Sequence, residues 1–542
     1  MSDYKRRKID ESGGGGGSLI AANRAAKEQQ QQQEKILQYL QRTTAQDGLN
    51  AADNDDVVME PEVYDLNWLE NLSKELKTTV QQNSDVRIKY SNDPLKFLDS
   101  ETKLNEIVKQ ISNITLAELP LYNDFIRLSG ESLSQIITHP NGDIINQFII
   151  VFNDLIDHEY EQDQSILLQF IKTQNIVNFL LEYLKILIDQ DDEDSKDVQI
   201  TILTIFNELT NYEDDELRKQ LIEFDQLTQF FNDSVRQIST VEGISYYDEL
   251  VTDYLFKIVD WDKLRFVAKH DSAIEIFLIQ LSHFTEIQPE EGSTQENFVE
   301  SIISILSMVL TSKDGRSKFL QLEGFELLLI LIKNGDWGFK TFVKLSNYLI
   351  ESINDTNNVE LSVSIIESNF FLNNVFKILK QNHKDRDEIY QILKILVKLI
   401  IFLPFNSDQR IRLINKLVNK NFKSLNVLLK IESKYDQNVS KLDVNSEQTY
   451  SFDDQYLEKI ENGLDILQQI SIFKSWLLIE DEKLKNDMIH MKHFNLEKLK
   501  NILNGYKDEL KFNIENTEDD VTKNEFFEYI NMINELLANL YT

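Results

Sequence analysis

From about residue 62 to the end of the chain, apolar residues recur at steps of three and four. This is the spacing that places apolar side chains on one face of a helix. The segments Ile144–Asp157, Ile166–Ile188, Val198–Asn211, Leu217–Ile238 and Arg316–Lys333 are examples. With few glycines and prolines to form tight turns, the pattern predicts an all-α fold.

A five-residue unit occurs twice inside these helical segments. It reads FNDLI at Phe152–Ile156 and FNELT at Phe206–Thr210, 54 residues apart, and each copy closes a strongly apolar run. A second pattern follows, with a large apolar residue and then a polar residue or glycine five positions later, at Asn175, Gln226 and Gly324. Repeats spaced by 40–55 residues are typical of armadillo and HEAT units, so we expect a right-handed superhelical solenoid.

The predicted organisation has five parts. Residues 1–60, with five consecutive glycines and five consecutive glutamines, are expected to form a disordered tail. An N-terminal helical cap at 61–140 precedes armadillo-like repeats at 141–435. A polar stretch at 436–455 is expected to be a flexible loop, and helical repeats or a cap fill 456–542.

The chain is strongly acidic, with a formal net charge of −35 over 542 residues. Such a body repels phosphate, which disfavours nucleic-acid binding, and attracts Lys/Arg-rich segments. It also makes a large helical surface soluble, and that explanation stays open. No apolar stretch is long enough to span a membrane, and no secretory leader is visible, so no membrane partner is expected.

No pattern of catalytic, cofactor or metal-binding residues stands out. There are no cysteines, the glycine tract lacks the Lys-Ser/Thr of a phosphate loop, and of seven histidines only His490 and His493 are close together. The acidic run Asp189–Asp194 fails the calcium-loop pattern because Asp194 stands where glycine is required. We therefore expect a protein that is not an enzyme and has no metal or cofactor.

The two FNDLI-type units supply the candidate peptide-binding residues. Asn153 and Asn207 could hold the backbone of an extended peptide, because an amide both donates and accepts hydrogen bonds. Asp154 and Glu208 follow the two asparagines directly in the sequence and could pair with basic side chains of the peptide. The alternative is that all four are ordinary solvent-facing positions on amphipathic helices.

Two basic clusters stand out against the acidic background. Lys5, Arg6, Arg7 and Lys8 form a short cluster of the kind that nuclear import receptors recognise. A longer stretch, which could touch RNA or an acidic partner or be a solvated helix face, comprises Arg410, Arg412, Lys416, Lys420 and Lys423.

Four segments resemble the beta-catenin-like protein 1 family, in the order expected for that family. The most specific is RIKYSNDPLKFLDSETKLNEIV at Arg87–Val108. The others are Ser317–Ile332, Arg410–Val418 and Tyr456–Ile472. The Gly and Gln tracts of residues 1–60 depart from the family, whose tail is usually rich in mixed charge.

This resemblance implies an armadillo solenoid with an atypical N-terminal cap, located in the nucleus. It implies a scaffold in pre-mRNA splicing that binds basic segments of splicing factors, notably a Myb-domain subunit of the nineteen complex. The alternatives are an import-type adaptor and a cytoplasmic scaffold. None of the four tryptophans has an asparagine four residues later, which disfavours the adaptor. The oligomeric state is open, a homodimer included.

Overall fold

The computed structural model describes most of the chain after residue 62. The described ranges are 63–117, 121–156, 165–188, 193–270, 272–350, 357–368, 370–381, 386–445, 452–491, 494–517 and 520–541. Within them every regular element is a helix and no β-strand occurs. The all-α prediction is therefore confirmed.

The first half of the described chain contains twelve α-helices. They are α1 (Leu66–Lys89), α2 (Leu98–Ile111), α3 (Tyr122–Ile137), α4 (Gly142–Ile156), α5 (Ser165–Thr173), α6 (Ile176–Ile188), α7 (Glu193–Leu209), α8 (Asp215–Glu223), α9 (Asp225–Arg236), α10 (Tyr246–Trp261), α11 (Lys263–Lys269) and α12 (Ala273–Ser282).

Thirteen further α-helices follow in the described part of the second half. They are α13 (Thr294–Leu310), α14 (Lys313–Gln321), α15 (Gly324–Leu331), α16 (Gly335–Leu349), α17 (Asn357–Glu367), α18 (Phe370–Gln381), α19 (Arg386–Phe402), α20 (Asp408–Asn445), α21 (Phe452–Glu461), α22 (Leu464–Glu480), α23 (Glu482–Ile489), α24 (Leu496–Asn516) and α25 (Asp520–Tyr541).

One series of helices forms a continuous stack through the protein, and we call it the ladder. Each member packs on the next in the order α2, α4, α7, α10, α13, α16, α19, α22 and α25. From α4 to α19 the ladder helices begin at residues 142, 193, 246, 294, 335 and 386, so successive starts lie 41 to 53 residues apart. This spacing agrees with the predicted repeat length and makes the fold a helical solenoid.

Ladder helices are apolar on two sides because each packs between two neighbours. In α7 the side chains of Ile202, Leu203, Ile205 and Phe206 are all 0 % exposed. Buried aromatic rings also pack between helices of neighbouring units. Phe206, for example, lies edge-on to the Phe231 ring of α9 at a centroid distance of 5.9 Å. From α4 to α22, only a narrow strip of each ladder helix is left open to solvent over most of its length.

Three segments that the apolar pattern predicts as single helices are each two helices joined by a sharp corner. The corners lie at Asn175, Phe224 and Glu323, and the backbone of Asn175 and Glu323 is left-handed, with φ of 51° and 59°. After the last corner, a Cβ on Gly324 would approach the buried Phe319 ring to 2.6 Å, so only glycine fits there. Periodicity missed these corners because apolar residues continue on both sides.

The predicted loop at 436–455 is helical at both ends. Helix α20 continues to Asn445 and α21 begins at Phe452, while 446–451 lie outside the described residues. Helix α20 extends this far because it keeps one buried apolar face. That face includes Ile431, Tyr435 and Val439, which recur at four-residue steps and are 1 %, 5 % and 9 % exposed. Tyr64–Thr542 forms one compact unit.

Candidate peptide-binding surface on the ladder

The open strip of the ladder carries carboxylates from α4 to α13. We call this set the acidic row. Its members, all partly exposed, are Asp154 on α4, Glu208 on α7, Glu249 and Asp253 on α10, and Glu300 on α13. Since these helices are consecutive in the ladder, the row crosses four adjacent repeats.

Hydrogen bonds hold three of these carboxylates in place. The Ser112 hydroxyl donates to Asp154 Oδ2 at 2.8 Å, and Asn297 Nδ2 donates to Glu249 Oε1 at 2.9 Å. Asn211 Nδ2 donates to Glu208 Oε2 at 3.1 Å. An ionised carboxylate offers about four acceptor sites, so these bonds leave it able to accept from a Lys or Arg side chain.

The two predicted asparagines lie on adjacent ladder helices; Asn153 is partly exposed like Asp154 beside it, whereas Asn207 is buried and Glu208 beside it is partly exposed. Asn207 is 6 % exposed, and its amide nitrogen donates to the carbonyl oxygens of Leu203 at 3.2 Å and of Leu250 at 3.0 Å. The second bond ties α7 to α10. The amide oxygens of Asn153 and Asn207 are buried and accept no hydrogen bond within the described residues. Peptide binding by these asparagines stays a prediction.

Asn347 forms a similar bridge and was not among the predicted residues. It lies on α16, and its Nδ2 donates to the carbonyl oxygen of Gln391 on α19 at 2.8 Å. Asn207 and Asn347 thus use one amide donor in the same way, to fasten consecutive ladder helices. No sequence motif links the two positions.

After α13 the strip carries lysines as well as carboxylates. Three lysines occupy the strip of α16 and α19, and we call Lys340, Lys344 and Lys394 the lysine row. Lys344 Nζ lies 3.8 Å from Glu300 on α13, and Lys394 Nζ stands over the Tyr348 ring at 6.0 Å. Lys340 Nζ lies 3.5 Å from the Glu388 carboxylate of α19, so two of the three lysines are paired with carboxylates of neighbouring ladder helices. These three lysines are not among the basic residues predicted from the sequence.

Comparison with known proteins places the chain in a family. The family model described as "Catenin-beta-like, Arm-motif containing nuclear" matches residues 43–504. The chain belongs to this family. The predicted resemblance and the armadillo-type fold are both confirmed by that match.

Individual relatives agree with the Catenin-beta-like assignment. The beta-catenin-like protein 1 homolog of Schizosaccharomyces pombe is 23 % identical over 446 residues, covering 80 % of this chain and 76 % of the relative. Beta-catenin-like protein 1 of Mus musculus is 24 % identical over 415 residues, covering 72 % and 71 %. A solved structure of SYS-1 aligns with a TM-score of 0.43 and 12 % identity, covering 87 % and 85 %. That structural match is too weak to add to the assignment.

In this Catenin-beta-like chain, two of the segments that resemble the family form structural clamps. Within Arg87–Val108, Arg87 pairs with the buried Glu101, and its guanidinium lies 4.5 Å from the centre of the Phe97 ring. The segment thereby fixes the turn from α1 into α2.

Arg410 forms the second clamp. Its side chain is 0 % exposed, so it does not belong to a basic surface as predicted for the stretch that begins with it. Its Nε and Nη2 donate to the Glu480 carboxylate at 2.8–2.9 Å. Its Nη1 donates to the carbonyl oxygens of Ile400 at 2.6 Å and Leu403 at 2.7 Å. The guanidinium thus caps the end of α19, where helix carbonyls lack partners within the helix.

Two lysines also lie buried on the ladder. Lys474 on α22 pairs with Glu432 on α20 at 2.6 Å, and burial lowers the pKa of its ammonium although Glu432 opposes that shift. Lys398 on α19 donates to the carbonyl oxygen of Asn347 on α16. Both side chains are buried, so neither ammonium group can contact a binding partner from solution.

Some residues named in the sequence analysis lie outside the described chain. The basic cluster of Lys5, Arg6, Arg7 and Lys8 lies outside the described residues. The same is true of His493, the histidine close to His490 in the sequence. No group of three or more potential metal-binding side chains occurs in the described ranges. No helix among them has the length and apolar character needed to cross a membrane.

Proposed function

We propose that this protein is a non-enzymatic nuclear scaffold that acts in pre-mRNA splicing by binding Lys/Arg-rich segments of splicing factors. The acidic row is the surface that would receive them. The observation that carries the proposal is the placement of carboxylates on four consecutive ladder helices of a Catenin-beta-like chain. The family description includes the word nuclear, which supports the location.

The acidic row suits a basic peptide because its charges are spread along the repeat direction. An extended peptide places alternate side chains on one face about 6.6 Å apart, so it can present several Lys or Arg side chains to successive helices. Each partly exposed ion pair contributes about 0.2–1 kcal/mol, so binding requires several of them. The affinity should fall as salt rises, because the contacts are solvent-accessible.

A binding measurement with the full chain tests the acidic row. The probe is a fluorescein-labelled dodecapeptide containing Lys-Lys-Arg-Lys, and the variant is Glu208→Gln with Asp253→Asn. Losing two pairs should weaken binding by about 0.4–2 kcal/mol, or roughly twofold to thirtyfold in Kd.

The matched control removes two carboxylates outside the ladder. Glu275 on α12 and Glu326 on α15 are exposed, and Glu275→Gln with Glu326→Gln changes the net charge by the same amount. The control should bind the basic peptide like the unaltered protein. Equal losses in both variants would show that only overall charge matters, and the acidic row would then have no specific role.

Affinity purification of the tagged chain from nuclear and cytoplasmic extracts tests the splicing role. Recovery of splicing factors from the nuclear extract, reduced by Glu208→Gln with Asp253→Asn, is the expected result. Recovery of junction, vesicle or transport proteins alone would favour a cytoplasmic scaffold or an import-type adaptor instead. A copy with Lys5, Arg6, Arg7 and Lys8 changed to Gln should lose nuclear accumulation if those residues act as the import signal.

A further inference from the structure

A cleft lies between α18 and α20, away from the acidic row. Two adjoining cavities of about 300 and 450 Å³ form it, and Asn373, Lys416 and Asn419 line both. The almost fully buried side chains of Leu372 and Phe376 lie beneath it, 4 % and 2 % exposed. We call this the basic cleft because five cations line it: Lys377, Lys380, Arg412, Lys416 and Lys423.

Four of the five cations of the basic cleft, the lysines, are poorly compensated. Lys377, Lys380 and Lys423 are exposed and take part in no ion pair within the described residues. Lys416 Nζ donates to Asn373 Oδ1 at 3.1 Å, which is an amide and leaves the positive charge unbalanced. Asp408, at one end, is the carboxylate among the lining residues. On a chain with a net charge of −35, such a cluster creates a local site for anions.

Asparagines alternate with the cations along the walls of the cleft. Asn415 and Asn419 are exposed one turn apart on α20, and Asn373 faces them from α18. An amide side chain can donate to a peptide carbonyl and accept from a peptide N–H. From Arg412 to Asn419 the row covers about 10 Å, and Lys423 extends it by about one turn. That length matches four to five residues of extended chain.

We propose that the basic cleft binds a short, extended, acidic peptide segment, with Asp and Glu carboxylates on the lysines and the peptide backbone on the asparagines. Charge complementarity supports this occupant, since the cleft is positive and local. A polynucleotide fits less well because Phe376, the aromatic residue of the lining, is too buried to stack on a base. A longer strand would also leave the cleft and meet the acidic remainder of the protein.

This inference does not depend on the proposed function. The basic cleft would accept a partner opposite in charge to the one proposed for the acidic row. The two surfaces use different residues on different helices, so either can fail without the other.

Fluorescence anisotropy with the full chain tests the basic cleft. The probes are a fluorescein-labelled hexapeptide of alternating Asp and Glu, the corresponding Asn/Gln hexapeptide, and a ten-nucleotide oligouridine. We expect the acidic peptide alone to bind at low salt and to dissociate as salt approaches 0.5 M. Lys377→Gln with Lys423→Gln should weaken its binding by about twofold to thirtyfold, the loss expected for two partly exposed ion pairs.

The matched control changes two exposed lysines elsewhere on the same helix. Lys430 and Lys441 lie on α20 outside the cleft, and Lys430→Gln with Lys441→Gln makes the same change in charge. Binding by this control should equal that of the unaltered protein. The proposal is overturned if the control loses as much affinity as the cleft variant, if the acidic peptide does not bind, or if oligouridine binds more tightly and depends on the cleft lysines.

Discussion

Replacing Arg410 with Met should destabilise the protein by about 3–5 kcal/mol. The guanidinium is 0 % exposed and pairs with the Glu480 carboxylate, whose side chain is 12 % exposed. Removing the guanidinium leaves a largely buried negative charge without its partner, and breaking such a pair costs about this much. The carbonyl oxygens of Ile400 and Leu403 also lose their donor.

A double-mutant cycle separates the lost pair from the lost packing. Arg410→Met with Glu480→Met removes both charges, so it should cost less than Arg410→Met alone, and Glu480→Met alone completes the cycle. The loss that remains in the double variant comes mainly from the two carbonyls, which lack their donor in both Arg410 variants. Lys430→Met, at an exposed position of the same helix, should stay within about 0.5 kcal/mol of the unaltered protein.

Hydrogen exchange is the suitable assay because a long solenoid need not unfold in a single step. Peptides from α19 and α22 should lose protection in Arg410→Met and regain part of it in the double variant. Urea unfolding followed by circular dichroism gives the corresponding free energies. A loss below about 1 kcal/mol for Arg410→Met, or additive effects in the cycle, would refute the assignment of a coupled buried clamp.

Two further predictions concern buried polar groups. Burial, and to a smaller extent the positive charge of Arg87, lowers the pKa of His139 below its ordinary value of 6.5. Just below pH 6.5 the unfolded chain therefore binds a proton at His139 that the folded chain does not bind. The stability contributed by neutral His139 is therefore present above pH 6.5 and is lost as the pH falls below it. His139→Gln should flatten the dependence of urea midpoint on pH in that range, and an unchanged slope would contradict this. Tyr254 has a fully buried hydroxyl without a hydrogen-bond partner in the described chain, so Tyr254→Phe should raise the free energy of unfolding by about 1–3 kcal/mol, whereas Tyr183→Phe, which removes a 2.7 Å bond to Asn146, should lower it by about 0.5–1.5 kcal/mol. Equal effects of the two substitutions in urea unfolding would rule out this explanation.

The sequence predicts the ladder well because burial on two sides leaves a dense apolar pattern. The segment Ile144–Asp157 corresponds to α4 at Gly142–Ile156, and the two FNDLI-type units end α4 and α7 as expected. The predicted start of α7, Val198, lies five residues after the observed start at Glu193. Its first turns are acidic and polar, so helix N-terminal electrostatics rather than periodicity defines them.

Corners within the repeats are harder to predict from sequence. Between α5 and α6, and again between α14 and α15, only about four mostly polar residues separate two apolar runs, because both helices face the same core. The useful signals are single residues that tolerate left-handed or crowded backbone, such as Asn175 and Gly324. They are recognisable only once the repeat length is known.

The charge of the ladder strip was beyond sequence reasoning for a different reason. Composition gives only a total, whereas the sign at a surface depends on which side chains reach the strip. Glu300 and Lys344 meet across 44 residues of chain, and Arg410 is buried although its neighbour Arg412 is exposed. Ionisable pairs four residues apart within apolar runs mark the strip in retrospect, acidic at Glu249 and Asp253 and basic at Lys340 and Lys344. Since four residues bring a helix back to the same face, each of these two pairs places both of its charges on one side of its ladder helix.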